Sequence, residues 1–193
     1  APRLTRDGET VRFFWGSPFF GGEEAGRHGF PFQYIESRDS GRSWSAVRYP
    51  RIVGRVGGST RQPINSAFRD RRGRLILSSD GGRDPVSGLG GGNESMAWAS
   101  DDDGRSWYDT GGRTFGRHTT FVEGQDGRLL GYGGKNTEID GFMPLATSVD
   151  GGRSYVKSKT PFPTVRSNQR PSVIRLASGR LLIISDYARR NDG

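Results

Sequence analysis

The sequence predicts an all-β chain built from one repeated, four-stranded antiparallel unit. Three observations predict it. An octapeptide of the form Ser-x-Asp-x-Gly-x-Ser-aromatic occurs three times, at residues 37–44 (SRDSGRSW), 100–107 (SDDDGRSW) and 148–155 (SVDGGRSY). A second turn motif alternates with it, centred on Gly8, Gly73, Gly127 and Gly179, which lie 65, 54 and 52 residues apart. The composition agrees: 31 glycines and 10 prolines in 193 residues, with 31% hydrophobic residues, describe turn-dense β structure without long helices.

The octapeptide reads as a tight hairpin. Its glycine (Gly41, Gly104, Gly152) can take positive φ, and the Asp two residues earlier can accept backbone N–H groups of the same turn. The closing aromatic (Trp44, Trp107, Tyr155) offers an apolar face that pins the hairpin to its sheet. Tyr155 stands where the other copies have Trp, so the third copy is expected to pack the least area.

The glycine turns set the strands. The apolar runs after Gly73, Gly127 and Gly179 (75–77, 129–132, 181–184) read as buried strands, and the runs before them (64–68, 119–122, 172–176) as their antiparallel partners. The unit is then strand A, glycine turn, strand B, a variable loop, strand C (32–36, 96–100, 145–148), octapeptide, strand D. Units fall at about 1–50, 61–110, 117–160 and 169–193 within a single domain. The first lacks most of strand A, and the last ends after strand B near Asp186.

The remaining composition narrows the classes. No stretch approaches the roughly 18 apolar residues that cross a bilayer, and the N-terminus has no charged segment followed by an apolar run, so neither a membrane partner nor an uncleaved signal peptide is expected. Cysteine is absent, which removes thiolate metal sites and leaves the compartment open; a mature secreted or periplasmic chain is compatible with both. His28 and His118 lack paired ligand spacing, so no metal and no cofactor is expected. Net charge is +8, carried almost wholly by arginine, with lysine only at 135, 157 and 159. The arginines form no run, and six (Arg42, Arg74, Arg105, Arg128, Arg153, Arg180) follow a turn glycine, which reads as solvated turn positions and argues against a nucleic-acid surface. A carboxylate-bearing glycan suits the guanidinium fork at least as well.

The octapeptides and their recurrence resemble the Asp box, or BNR repeat, of sialidase-like β-propellers. The resemblance covers nearly the whole chain, including the segments QPINSAF (62–68) and RPSVIRLASGRLL (170–182). It implies a partial sialidase-like β-propeller, about three and a half four-stranded blades of a six-bladed ring, the rest coming from further sequence of a longer protein or from a second chain; chain ends that cut inside blades favour further sequence. In a meander the glycine turns and octapeptides share one face, while B–C loops and D–A connectors share the other. Strand A is innermost in a propeller, so the residues leading into it ring the axis: Arg61 and Gln62, Arg117 and His118, then Asn168, Gln169 and Arg170. Three arginines so placed suit a substrate carboxylate.

The resemblance further implies an exo-sialidase type of glycoside hydrolase acting on an acidic or hydroxyl-rich glycan. Its members use an arginine triad, an Asp acid/base, and a Tyr paired with a Glu. Arg170-Pro171-Ser172 looks like a degenerate form of the family's Arg-Ile-Pro, which brings Asp186 or Asp192 near the acid/base position. No Tyr/Glu pair can be assigned. Loop acids offered on the same face are Glu94 and Asp140, each open to a turn or surface role, while Asp80-Gly81-Gly82 reads as a turn. Two further readings stay open: a polysaccharide lyase on the same scaffold with His118 or a Tyr as base, and a non-catalytic propeller binding glycan or protein.

Overall fold

Fourteen strands in four sheets, and no helix, make up the described residues of the computed structural model, which are 2–5, 8–16, 30–59, 66–83, 87, 94–135, 137–166 and 170–185. Sheet I contains β1 (Pro2–Leu4), β2 (Val11–Gly16) and β3 (Phe32–Ser37), in that order. β4 (Arg51–Ile52) leaves sheet I and pairs in parallel with an outer strand of sheet II. That sheet runs β5 (Ala67–Arg69), β6 (Leu75–Asp80), β7 (Ser95–Ser100), β8 (Ser106–Asp109), with β4 beyond β8. Sheet III is β9 (Arg117–Glu123), β10 (Leu129–Gly134), β11 (Phe142–Ser148) and β12 (Val156–Pro163); sheet IV is β13 (Ser172–Arg175) and β14 (Leu181–Ile184).

Apart from β4, consecutive strands within each sheet pair antiparallel, and strands lie on either side of each glycine turn. Two expectations change. No fourth strand joins sheet I after the first octapeptide; a single bridge between Tyr34 and Arg48 stands in its place. The connector after it is not simply a loop, because β4 uses it to cover the edge of sheet II.

Period-2 alternation explains how the sheets associate. Leu75 and Leu77 of β6 join Phe14 and Phe32 of sheet I, along with Trp98 and Trp107, in one buried cluster. Ile76, one residue out of phase, faces the other way onto Phe121 and Leu129 of sheet III. Val122, Tyr132 and Met143 of sheet III then meet Val173 of sheet IV. Sheet II is covered on both faces, and every residue of β6 and β7 is buried.

The three octapeptides share one hydrogen-bond pattern. Ser37 Oγ donates to Asp39 Oδ1 (2.8 Å) and accepts from the Gly41 N–H (2.8 Å), while Asp39 accepts the Ser43 N–H (2.9 Å) and hydroxyl (2.5 Å). The same contacts recur around Asp102 and Asp150. Gly41, Gly104 and Gly152 take φ of 89°, 85° and 96°, which explains the glycine. Hydrogen bonds from Ser43, the hydroxyl first, hold the Asp39 carboxyl down at about 2.

The aromatics differ in a way the motif does not announce. Trp107 is fully buried between sheets I and II, edge-on to Phe14 and Phe32 at ring-centroid distances of 5.6 and 5.3 Å. Trp44 remains 41% exposed, because its side of sheet I has no neighbouring sheet among the described residues. Tyr155 packs on Phe121 in the II–III cluster, so Trp44 rather than Tyr155 is the least covered. The Tyr155 hydroxyl is buried without a hydrogen-bond partner among the described residues. Since an unsatisfied buried hydroxyl costs free energy, Tyr155→Phe is expected to leave stability unchanged or raise it by about 1 kcal/mol in a denaturant titration.

Several arginines join one sheet to the next. Arg12 of sheet I reaches the Asp103 carbonyl, and Arg69 of sheet II binds the Asp103 carboxylate. Arg71 contacts the Gln125 carbonyl, and its N–H meets the Glu123 carboxylate of sheet III. Arg74, expected as a solvated turn residue, is instead largely buried: it pairs with Asp70 at 2.8 Å and lies 3.3 Å from the Gly151 carbonyl of the third octapeptide. Arg42, Arg105, Arg128, Arg153 and Arg180 are exposed.

Candidate functional site

At the end of the sheets opposite the octapeptides, Asp80 gathers groups from two sheets. It is the last residue of β6 and shares the face of Ile76 and Ser78, so alternation aims it at sheet III. Its side chain is 1% exposed. Oδ1 accepts the His118 N–H (2.6 Å) and lies 3.1 Å from Ser95 Oγ; Oδ2 accepts from Arg117 Nε at 3.1 Å. Asp80 is therefore a buried carboxylate hub and not the turn residue its Asp-Gly-Gly context suggests. The signal was the unbroken strand before it, which carries the pleat through to the carboxylate.

His118 lies next in the chain of contacts. Gly116, at φ 129°, brings the backbone within a Cβ's reach of Gly133, and a register shift between Tyr132 and Gly134 marks a bulge where β9 meets β10. On the two sides of this irregularity His118 (φ 53°) and Lys135 (φ 50°) adopt the left-handed region. For non-glycine residues that costs on the order of 1 kcal/mol each, a strain that concentrates at functional sites.

The imidazole is 2% exposed. Nδ1 accepts from Arg170 Nε at 3.3 Å, which puts the ring proton on Nε2. Nε2 is 3.4 Å from Asp80 Oδ2 but without hydrogen-bond geometry, so it is a buried donor lacking a partner among the described residues. Burial first, then the positive charges of Arg170, Lys135 and Arg117, push the ring down to about 4 against the opposing pull of Asp80. His118 is neutral at pH 7. A general base needs a free lone pair, and the one on Nδ1 is engaged by Arg170, so the ring acts as an acceptor in this arrangement.

Arg117 and Arg170 are thus held in the same manner, each through Nε, to Asp80 and His118 respectively. Their terminal Nη groups make no hydrogen bond to described residues, and Arg170 and Lys135 have no carboxylate partner among them. Two guanidiniums separated by one imidazole, with Lys135 beside them and a single buried carboxylate, leave an excess of positive charge suited to an anion.

Arg61, Gln62, Asn168, Gln169 and Asp186 lie outside the described residues, as do His28, Asn136, Tyr187 and Asp192. The connector leading to Arg61 is brought alongside: Asp109 accepts the Gly57 N–H at 3.0 Å and pairs with Arg113 at 2.7 Å, and Ser59 bridges Gly81, next to Asp80. Glu94 is half-buried, and its carbonyl accepts the Gly81 N–H. Asp140 pairs with Lys159 at 2.8 Å on the surface. Among the described residues no group of three His, Asp or Glu side chains could hold a metal ion, and no helix is long and apolar enough to cross a membrane.

The architecture is that of an all-β protein whose sheets pack in series, with a cationic cluster at one end. No protein-family model and no curated protein matches the chain. Solved structures do. The chain is similar to a protein of unknown function from Dyadobacter fermentans, with a TM-score of 0.63 and 18% identity over 96% of this chain and 56% of that one. It is also similar to a sialidase of Trypanosoma rangeli in complex with sialic acid (TM-score 0.57, 16% identity, 91% of this chain and 32% of that one). A mutant of the NanB sialidase of Streptococcus pneumoniae gives a TM-score of 0.56 and 17% identity over 84% of this chain and 24% of that one. At these identities the likeness is one of fold, and the chain spans little more than half the length of the first structure and a third or less of the sialidases.

Proposed function

We propose that the chain is part of a sialidase-like β-propeller, its four sheets being about three and a half blades of a six-bladed ring, and that it binds an acidic glycan through Arg117 and Arg170. Further blades, from the same protein or a second chain, would cover the outer faces of sheets I and IV, where Phe13, Ile174, Leu182 and Ile184 are exposed. The observation that carries the reading is the anchoring of both guanidiniums by Nε, which leaves two forks of N–H donors for a carboxylate. The fold likeness to sialidases, one of them in complex with sialic acid, supports the same ligand class. On this reading a glycan rather than nucleic acid is the partner, because the arginines form no continuous run and several of them join one sheet to the next.

Turnover, on this reading, is glycoside hydrolysis of exo-sialidase type, with Asp186 or Glu94 as the proton donor and Arg61 completing the cationic ring. Incubating the protein with sialyllactose and with a polyuronate tests it. Released sialic acid supports hydrolysis; an unsaturated product absorbing in the ultraviolet identifies a lyase; binding without product identifies a glycan-binding propeller. In a calorimetric titration, Arg117→Ala and Arg170→Ala are each expected to weaken binding by about 10- to 100-fold, the loss of one charge-assisted contact of about 1.5–3 kcal/mol. Unchanged affinity in both variants removes the carboxylate site.

A further inference from the structure

The proposed site contains a buried imidazole that does no chemistry in the reading above. It nevertheless supplies the side-chain contact that holds Arg170 among the described residues. We propose that His118 is a positioning residue: as a neutral imidazole protonated on Nε2, it accepts from Arg170 Nε and so aims the Arg170 fork toward the acidic sugar. The inference rests on the carboxylate-binding reading of the same cluster.

The geometry supplies the reasons. A guanidinium on a flexible stem loses rotamer freedom when it binds an anion, and a contact formed beforehand removes part of that cost. Arg117 has such a contact in Asp80; among the described residues Arg170 has it in His118. A carboxylate in the place of His118 would neutralise Arg170, whereas a neutral imidazole fixes it and leaves its charge for the ligand. The ring is itself fixed, since its backbone N–H is bound to Asp80 Oδ1 and its left-handed φ is set beside the β9–β10 bulge.

A pH dependence follows. The groups facing the ring are Asp80 from β6, Arg117 beside it on β9, Lys135 after β10 and Arg170 before β13. Above about pH 4 the ring is neutral and the contact to Arg170 stands. As pH falls through that value Nδ1 takes up a proton, can no longer accept, and repels Arg170.

The test uses the 193-residue chain, with sialyllactose as the probe. His118→Asn places an amide oxygen near the position of Nδ1 and tolerates the left-handed backbone; His118→Ala removes the acceptor. Ring-nitrogen chemical shifts, assigned by comparison with His118→Asn because His28 is the only other histidine, are expected to show an Nε2–H tautomer that protonates only near pH 4. An Nδ1–H tautomer, or titration near pH 6.5, overturns the proposal whatever the ligand does. Affinity is expected to fall about three- to tenfold in His118→Ala and to stay near wild type in His118→Asn. Below about pH 4 the wild type should weaken while the Asn variant does not, which assigns the change to the ring. Equal affinity in wild type and His118→Ala overturns the positioning role and leaves the carboxylate site standing. An expected spectrum with no binding by the wild type overturns the carboxylate site, and the positioning role with it.

Discussion

Trp107→Ala is expected to destabilise the chain by about 3–5 kcal/mol, the usual range for emptying a fully buried aromatic site. Its ring fills the space between Phe14, Phe32 and the strands of sheet II. Trp44→Ala, at the same motif position, is expected to cost only about 1 kcal/mol, since that ring is 41% exposed and mainly steadies its own hairpin. Denaturant titrations of both variants would measure the contrast. In a protein where a further sheet covers sheet I, the Trp44 cost should rise toward that of Trp107, so the pair also reports whether the outer face of sheet I is occupied.

Asp80→Ala is expected to combine a stability loss of about 3 kcal/mol with loss of glycan binding. The substitution leaves the His118 N–H without its acceptor and Arg117 without its counter-charge. Arg117 is a quarter exposed, so solvent relieves part of the imbalance and the cost falls at the lower end of the range for a broken buried pair. Asp80→Asn, which keeps an oxygen acceptor, should recover about half of the stability and little of the affinity. If Asp80→Ala unfolded at the wild-type denaturant midpoint, Asp80 would not be the hub that its contacts describe.

How much of this was legible in the sequence depended on how local the governing contact is. Hairpins closed within eight residues were fully visible, because Ser37, Asp39, Gly41 and Ser43 satisfy one another. Strand pairing across a glycine turn was also visible, since an apolar run on each side of Gly73 or Gly127 has only one short-range partner. Contacts between units were not. Arg74 has the same Gly-Arg context as Arg128, yet one is buried against Gly151 and the other is exposed, a difference made by sheet III. Trp44 and Trp107 have the same octapeptide context and differ in whether a sheet lies opposite. β4 pairs in parallel with a strand more than fifty residues away, which no local pattern encodes.

The candidate site divides in the same way. Arg117, His118 and Arg170 stood out because the repeat places each at the start of a strand A. Asp80 did not, because Asp-Gly-Gly is a strong turn signal and only the pleat of β6 carries the carboxylate inward. The role of His118 as an acceptor was equally hidden, since it depends on a left-handed residue and a bulge in the neighbouring strand.

The claim that Nε-anchored arginines form a carboxylate receptor is tested most directly by a matched pair of ligands. Calorimetry of the protein with a sialoside and with its methyl ester isolates the charge, because the two differ only at the carboxyl group. The anchored forks predict that esterification abolishes measurable binding and that the Arg117→Ala, Arg170→Ala double variant no longer distinguishes the two ligands. Equal affinity of the wild type for acid and ester would contradict the receptor.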